Sequence, residues 1–100
     1  MLIIPTEPNP GYTFRTRLND QDVGLRIYQK STGLYIDVIL DTVAIVTGVL
    51  CRNRVITIRQ EYLGFEGDLV FVDTQGNEDP YYTGLGERFK LVYLEPGETP

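Results

Sequence analysis

An apolar alternation of period two runs through nearly every segment of this chain and sets the first limit on its fold. In residues 12–18, Tyr12, Phe14, Thr16 and Leu18 share one side, and Thr13, Arg15 and Arg17 the other. Val23, Leu25 and Ile27 alternate with Gly24, Arg26 and Tyr28. Leu34, Ile36, Val38 and Leu40 make a third apolar row. Successive side chains of a strand point to opposite faces, so this pattern reads as half-buried β-strands. No stretch of ten residues carries the 3.6-residue period of a helix, which leaves room for a short helical turn at most.

Turn chemistry punctuates the rows. Asn19-Asp20-Gln21-Asp22, Ser31-Thr32-Gly33 and Asp41-Thr42 are tight connections, so consecutive strands should pair antiparallel as a meander. Residues 43–50 are apolar on both faces and interrupted by Gly48, which predicts a bulge or a close backbone approach. Residues 2–4 read as a short edge strand, and residues 54–59 alternate less regularly. Residues 61–67 read as a connector that buries Tyr62 or Phe65. Residues 68–73 and 89–94 are two more strands framing the longest connector. The expected fold is all-β, a small antiparallel barrel or sandwich of about seven short strands. One domain spans residues 1–100, with a proline-marked extended arm at 1–10 and a frayed tail at 95–100.

Composition excludes several classes of function. No histidine is present, which removes the commonest general acid/base and metal ligand. The single cysteine, Cys51, precludes an internal disulfide and reads as a small buried hydrophobe. No apolar run nears the roughly 20 residues that span a bilayer. Residues 1–4 lack the basic and apolar regions of a signal peptide, so folding in a cytoplasm is the expectation. Net charge is −5 and unevenly spread. Residues 1–59 hold seven basic against five acidic residues, and residues 60–100 hold two against nine. Nucleic acid needs a concentrated basic footprint, so it is not the expected partner. The asymmetry suits docking between protein subunits with complementary patches, and equally serves solubility.

Residues 73–94 hold the one long irregular connector. It carries Gly76, Gly84 and Gly86, adjacent Tyr81 and Tyr82, and the acidic set Glu78, Asp79 and Glu87. Loops this long usually work at a surface or are disordered, and paired tyrosines favour packed contacts. The acidic spacing fits no EF-hand, and Gly84-Leu85-Gly86 lacks the residues of a phosphate loop, so these glycines read as a tight bend. Arg52-Asn53-Arg54 reads as a hairpin tip or as an inter-subunit anchor, since arginine forks pair bidentately with carboxylates. Tyr28 and Tyr35 fall opposite the main apolar rows, where a neighbour would have to cover them. The candidate protein-contact residues are Arg52, Asn53, Arg54, Asp79, Tyr81, Tyr82 and Arg88. No nucleophile–base spacing, cofactor motif or metal-ligand set stands out.

The segments LIIPTEPNPGYTF, IYQKSTGLYIDV, VTGVLCRNRV and YLGFEGDLVFVDTQGNEDPYYTGLGERFKLVYL resemble the baseplate plug family of contractile-tailed phages, over nearly the whole chain. The resemblance implies a small all-β, non-enzymatic virion protein of the tail baseplate, made and assembled in the host cytoplasm. It implies packing among hub, spike, tube or sheath-initiator subunits, in several copies per virion, without cofactor, nucleic acid or membrane. The alternative reading is a phage-borne carbohydrate- or peptide-binding module using residues 73–94.

Overall fold

The computed structural model describes residues 2–58 and 66–98. Seven strands follow in order: β1 (Leu2–Ile4), β2 (Gly11–Leu18), β3 (Gln21–Lys30), β4 (Gly33–Leu40), β5 (Val43–Leu50), β6 (Asp68–Asp73) and β7 (Phe89–Leu94). One 3-10 turn lies at Tyr82–Gly84. The strands form two antiparallel sheets, ordered β2-β3-β4-β5 and β1-β7-β6, whose inner faces meet. The fold is thus the sandwich of the two expected architectures, not a closed barrel.

The meander is tighter than the sequence suggests. Leu18 pairs with Gln21 across Asn19-Asp20, both with positive φ, and Leu40 pairs with Val43 across Asp41-Thr42. Asn and Asp tolerate this left-handed geometry, which matches the twist of the flanking strands. Two residues therefore suffice where a four-residue connection, 19–22, was expected. Gln21 Nε2 donates to the Leu18 carbonyl and helps to close the turn. The bulge expected at Gly48 is present. Between Ile36↔Val49 and Val38↔Val46, β5 carries an extra residue, and Gly48 adopts φ 65°. Its N–H donates to Asp37 Oδ1 at 2.7 Å, the same oxygen that accepts the Tyr28 hydroxyl.

Leu25, Ile27, Ile36 and Val38 of one sheet pack against Leu69, Phe71, Phe89 and Leu91 of the other. Cys51 lies in this core, where burial pushes its thiol up to about 12. The outer face of β1-β7-β6 is apolar as well. Val70, Val92 and Leu94 form a second cluster with Ile56 and Val72, beneath a groove of about 290 Å³ flanked by Ile3, Arg54 and Lys90.

Residues 54–58 do not form the expected strand. They cover the outer edge of β6 through isolated bridges, Asn53 to Phe71 and Ile56 to Val70. The N–H groups of Arg54 and Thr57 donate to the Phe71 and Leu69 carbonyls, and the Asp68 carboxylate accepts from Thr57 N–H as well and from Ile58 N–H, where the pairing ends. Arg59, Tyr62 and Phe65 lie outside the described residues. At the opposite edge, β1 pairs with β7 and buries Ile4, while Leu2 and Ile3 stay exposed on an open edge. The following segment lies against the body of the fold. Glu7 N–H donates to the Tyr12 hydroxyl, and Gln29 N–H donates to the Pro10 carbonyl.

Ile36, fully enclosed between the sheets, tests this packing. Ile36→Ala should lower the unfolding free energy in chemical denaturation by about 2–5 kcal/mol. Thr13→Ala on the outer face should stay within about 0.5 kcal/mol.

Candidate docking site

In β6 the alternation that buries Leu69 and Phe71 also puts Asp73 on the inner face, at the strand's end. Its side chain has no exposed surface. A carboxylate in that position is strongly disfavoured unless its oxygens are satisfied. Here four donors satisfy them. Asp73 Oδ1 accepts from Arg88 Nε at 2.9 Å and from Gln75 N–H at 2.9 Å. Oδ2 accepts from Arg88 Nη2 at 2.9 Å and from Glu78 N–H at 2.8 Å. The guanidinium fork thus meets the carboxylate bidentately, the strongest geometry for such a pair. The bonds to Arg88 hold the Asp73 carboxyl well below the usual carboxylate range, and the same bonds raise Arg88.

This pair closes the neck of the long loop. Asp73 ends β6, Arg88 immediately precedes β7, and residues 74–88 run between the strands. Thr74 donates through both N–H and hydroxyl to the Arg88 carbonyl. Arg88 also reaches Glu78 Oε2 at 3.2 Å and the Tyr81 hydroxyl at 3.3 Å, and its guanidinium lies over the Phe89 ring. Tyr81 meets Phe89 edge-on at 4.7 Å. Gly84 packs so close to that ring that a Cβ would fall 2.6 Å from it. At Gly86, φ is 84° and the Thr6 carbonyl lies where a Cβ would stand, so the expected tight bend is real and admits only glycine.

The loop is also fixed to the rest of the fold. Asn53 Oδ1 accepts Asp73 N–H, and Asn53 N–H donates to Asp79 Oδ1 at 3.0 Å. Tyr82 N–H donates to Gln29 Oε1 on β3, and Leu85 is buried in the main core. Of the residues singled out by sequence, Asn53, Asp79, Tyr81 and Arg88 therefore belong to one hydrogen-bonded assembly around Asp73, and Tyr82 is anchored separately to β3. Arg52 stands exposed beside it. Arg54 turns away, with φ 62°, to flank the apolar groove on the outer face. Arg52-Asn53-Arg54 is a turn laid against β6 rather than a hairpin tip. Arg88 is mainly an internal tie, only 23% exposed.

Asp73 is the participant the sequence reading did not single out. Its signal was its phase with Leu69 and Phe71, together with only two cations, Arg88 and Lys90, after residue 60. The acidic set does not converge on one point, since Glu78 faces Arg88 and Asp79 faces the Asn53 backbone. Among the described residues no group of three carboxylates or thiols is arranged to hold a metal ion. None of their helices is long and apolar enough to cross a membrane.

The geometry defines a small β-sandwich that displays an ordered, acidic, tyrosine-bearing loop. The family model of the cyanophage Pam3 baseplate plug gp18 matches residues 1–96. The chain belongs to this baseplate plug family, and membership supports a structural role in a phage tail baseplate. No curated protein matches the chain.

Because the Asp73 carboxyl is held below its unfolded value of about 3.9, the pair stabilises the loop fully above that pH and progressively less as pH falls below it. Proteolytic cleavage within residues 74–88 should rise as pH drops below about 4. Arg88→Ala should give comparable cleavage at pH 7, because it leaves Asp73 buried and unpaired. Resistance in both conditions would contradict this role.

Proposed function

We propose that this protein is a non-enzymatic packing subunit of the baseplate, a plug or brace among hub, spike, tube or sheath-initiator subunits. The observation that carries this reading is the pre-ordered loop. Its neck is closed by a buried ion pair, and its crest presents Tyr81, Asp79 and Glu78 to solvent, beside Arg52. A loop already fixed in shape loses little conformational entropy when it docks, which favours tight assembly from a small contact. Arg52, Asp79 and Tyr81 are the contact residues in this proposal. Asn53, Tyr82 and Arg88 hold them in place. Several copies per virion and assembly in the host cytoplasm belong to the same reading.

The carbohydrate alternative asks for open ring faces. Tyr81 lies edge-on to Phe89 with its hydroxyl near Arg88. Tyr28 and Tyr35 stack on each other beneath Arg26 and Lys30. In both places the rings are engaged within the fold, which favours the structural reading.

Tyr81→Ala separates the two classes. In a phage carrying it, the structural reading expects loss of complete particles, while the purified variant remains folded and binds no glycan in an array. Normal assembly together with a lost glycan signal would instead establish the carbohydrate module.

A further inference from the structure

The outer face of β2-β3-β4-β5 is charged in the opposite sense to the rest of the chain. Arg15, Arg17, Arg26 and Lys30 stand there against Asp22 and Asp37, a surplus of two positive charges on a chain of net −5. Arg15 pairs with Asp22 at 3.1 Å, and Arg26 lies 3.9 Å from Asp37. Asp37 is already engaged by the Tyr28 hydroxyl and Gly48 N–H. Arg17 and Lys30 have no carboxylate within ion-pairing distance among the described residues.

These cations rest on a built floor. Tyr28 and Tyr35 pair across β3 and β4 and stack at 6.0 Å, 16° from parallel. The Tyr28 hydroxyl is tied to Asp37 and that of Tyr35 to Thr32. Lys30 Nζ lies 5.5 and 5.3 Å from the two ring centroids, and the Arg26 guanidinium lies 5.1 Å from that of Tyr28. Cations held over aromatic faces are restrained without being neutralised, so they meet a carboxylate with less ordering to undergo.

The complementary feature is present in the same chain. Residues 60–100 sum to −7, and the loop of residues 74–88 displays Glu78, Asp79 and Glu87 at its exposed surface. The loop joins strands of the other sheet, and the basic face points away from that sheet, so one molecule cannot satisfy its own pair of surfaces. We propose that the basic tyrosine face binds the acidic loop of a second copy, head to tail. Such a contact is heterologous and propagates as a ring or a filament. The proposal rests on the reading of residues 74–88 as a docking element and names the partner that it meets.

Sedimentation velocity on the full chain tests this between about 0.01 and about 1 M salt, which shortens the screening length from about 30 Å to about 3 Å. The expected result is oligomers at low salt that dissociate to monomer at high salt. Arg26→Gln with Lys30→Glu, which spares Asp37 a like charge, should weaken association by about tenfold or more, as should Glu87→Lys with Glu78→Gln, which spares Arg88 a like charge. All four side chains sit at the surface, so both variants should keep the wild-type melting curve, and mixing them should restore association. A wild-type chain that stays monomeric throughout, or an oligomer indifferent to salt and to both variants, would overturn the proposal. A monomer whose Tyr81→Ala phage still fails to assemble would sink this contact and leave the docking loop standing. Salt-sensitive oligomers with normal Tyr81→Ala particles would keep this contact and remove Tyr81 from the docking surface of the loop.

Discussion

The buried pair of Asp73 and Arg88 is the interaction on which the rest of the structure's presented surface depends. A β-hairpin with fifteen residues between its strands has no intrinsic reason to hold one shape. Here the strand register carries a carboxylate into the core at the last residue of β6. The chain must then return an arginine to the same point before β7 begins. Once that neck is closed, the backbone N–H groups of Gln75 and Glu78 fold onto the same carboxylate. The loop is thus organised from its base outward, and its crest is the part left free to touch something else.

The sandwich supplies what that pair requires. The Phe89 ring lies against the Arg88 guanidinium, and the 53–57 segment caps the edge of β6 and lends Asn53 to both Asp73 and Asp79. Remove the edge cover and the ion pair would face water, where such pairs contribute little. The division of labour follows from position. Groups in the neck are internal and groups at the crest are external, although the sequence places them within a few residues of each other.

Much of this was legible in the alternation. Period two located the strands, the turn residues located the hairpins, and Gly48 and Gly86 marked backbone conformations that the structure does adopt. The gap between barrel and sandwich was not legible, because closure depends on which edges meet, and repeat spacing is silent about that. Residues 54–58 look like a strand by alternation, yet their pairing with β6 is limited to single bonds from Arg54 and Thr57 to the Phe71 and Leu69 carbonyls and ends where the Asp68 carboxylate takes the Ile58 N–H. Of the candidate contact residues, Asn53, Asp79 and Tyr81 lie in the network around Asp73 and Arg88, a grouping that alternation alone does not reveal. Arg54 departed to the other face because its left-handed φ redirects the side chain. Asp73 was readable in principle, since its phase with Leu69 and Phe71 demanded a cation.

The central claim is that residues 74–88 hold their shape in the free protein before any neighbour arrives. Amide hydrogen exchange on the isolated monomer at neutral pH measures this directly. The account predicts strong protection at the N–H groups of Gln75, Glu78, Tyr82 and Arg88, each of which has a partner within the fold. Exchange at these sites as fast as in an unstructured peptide, while β3 and β4 stay protected, would contradict it.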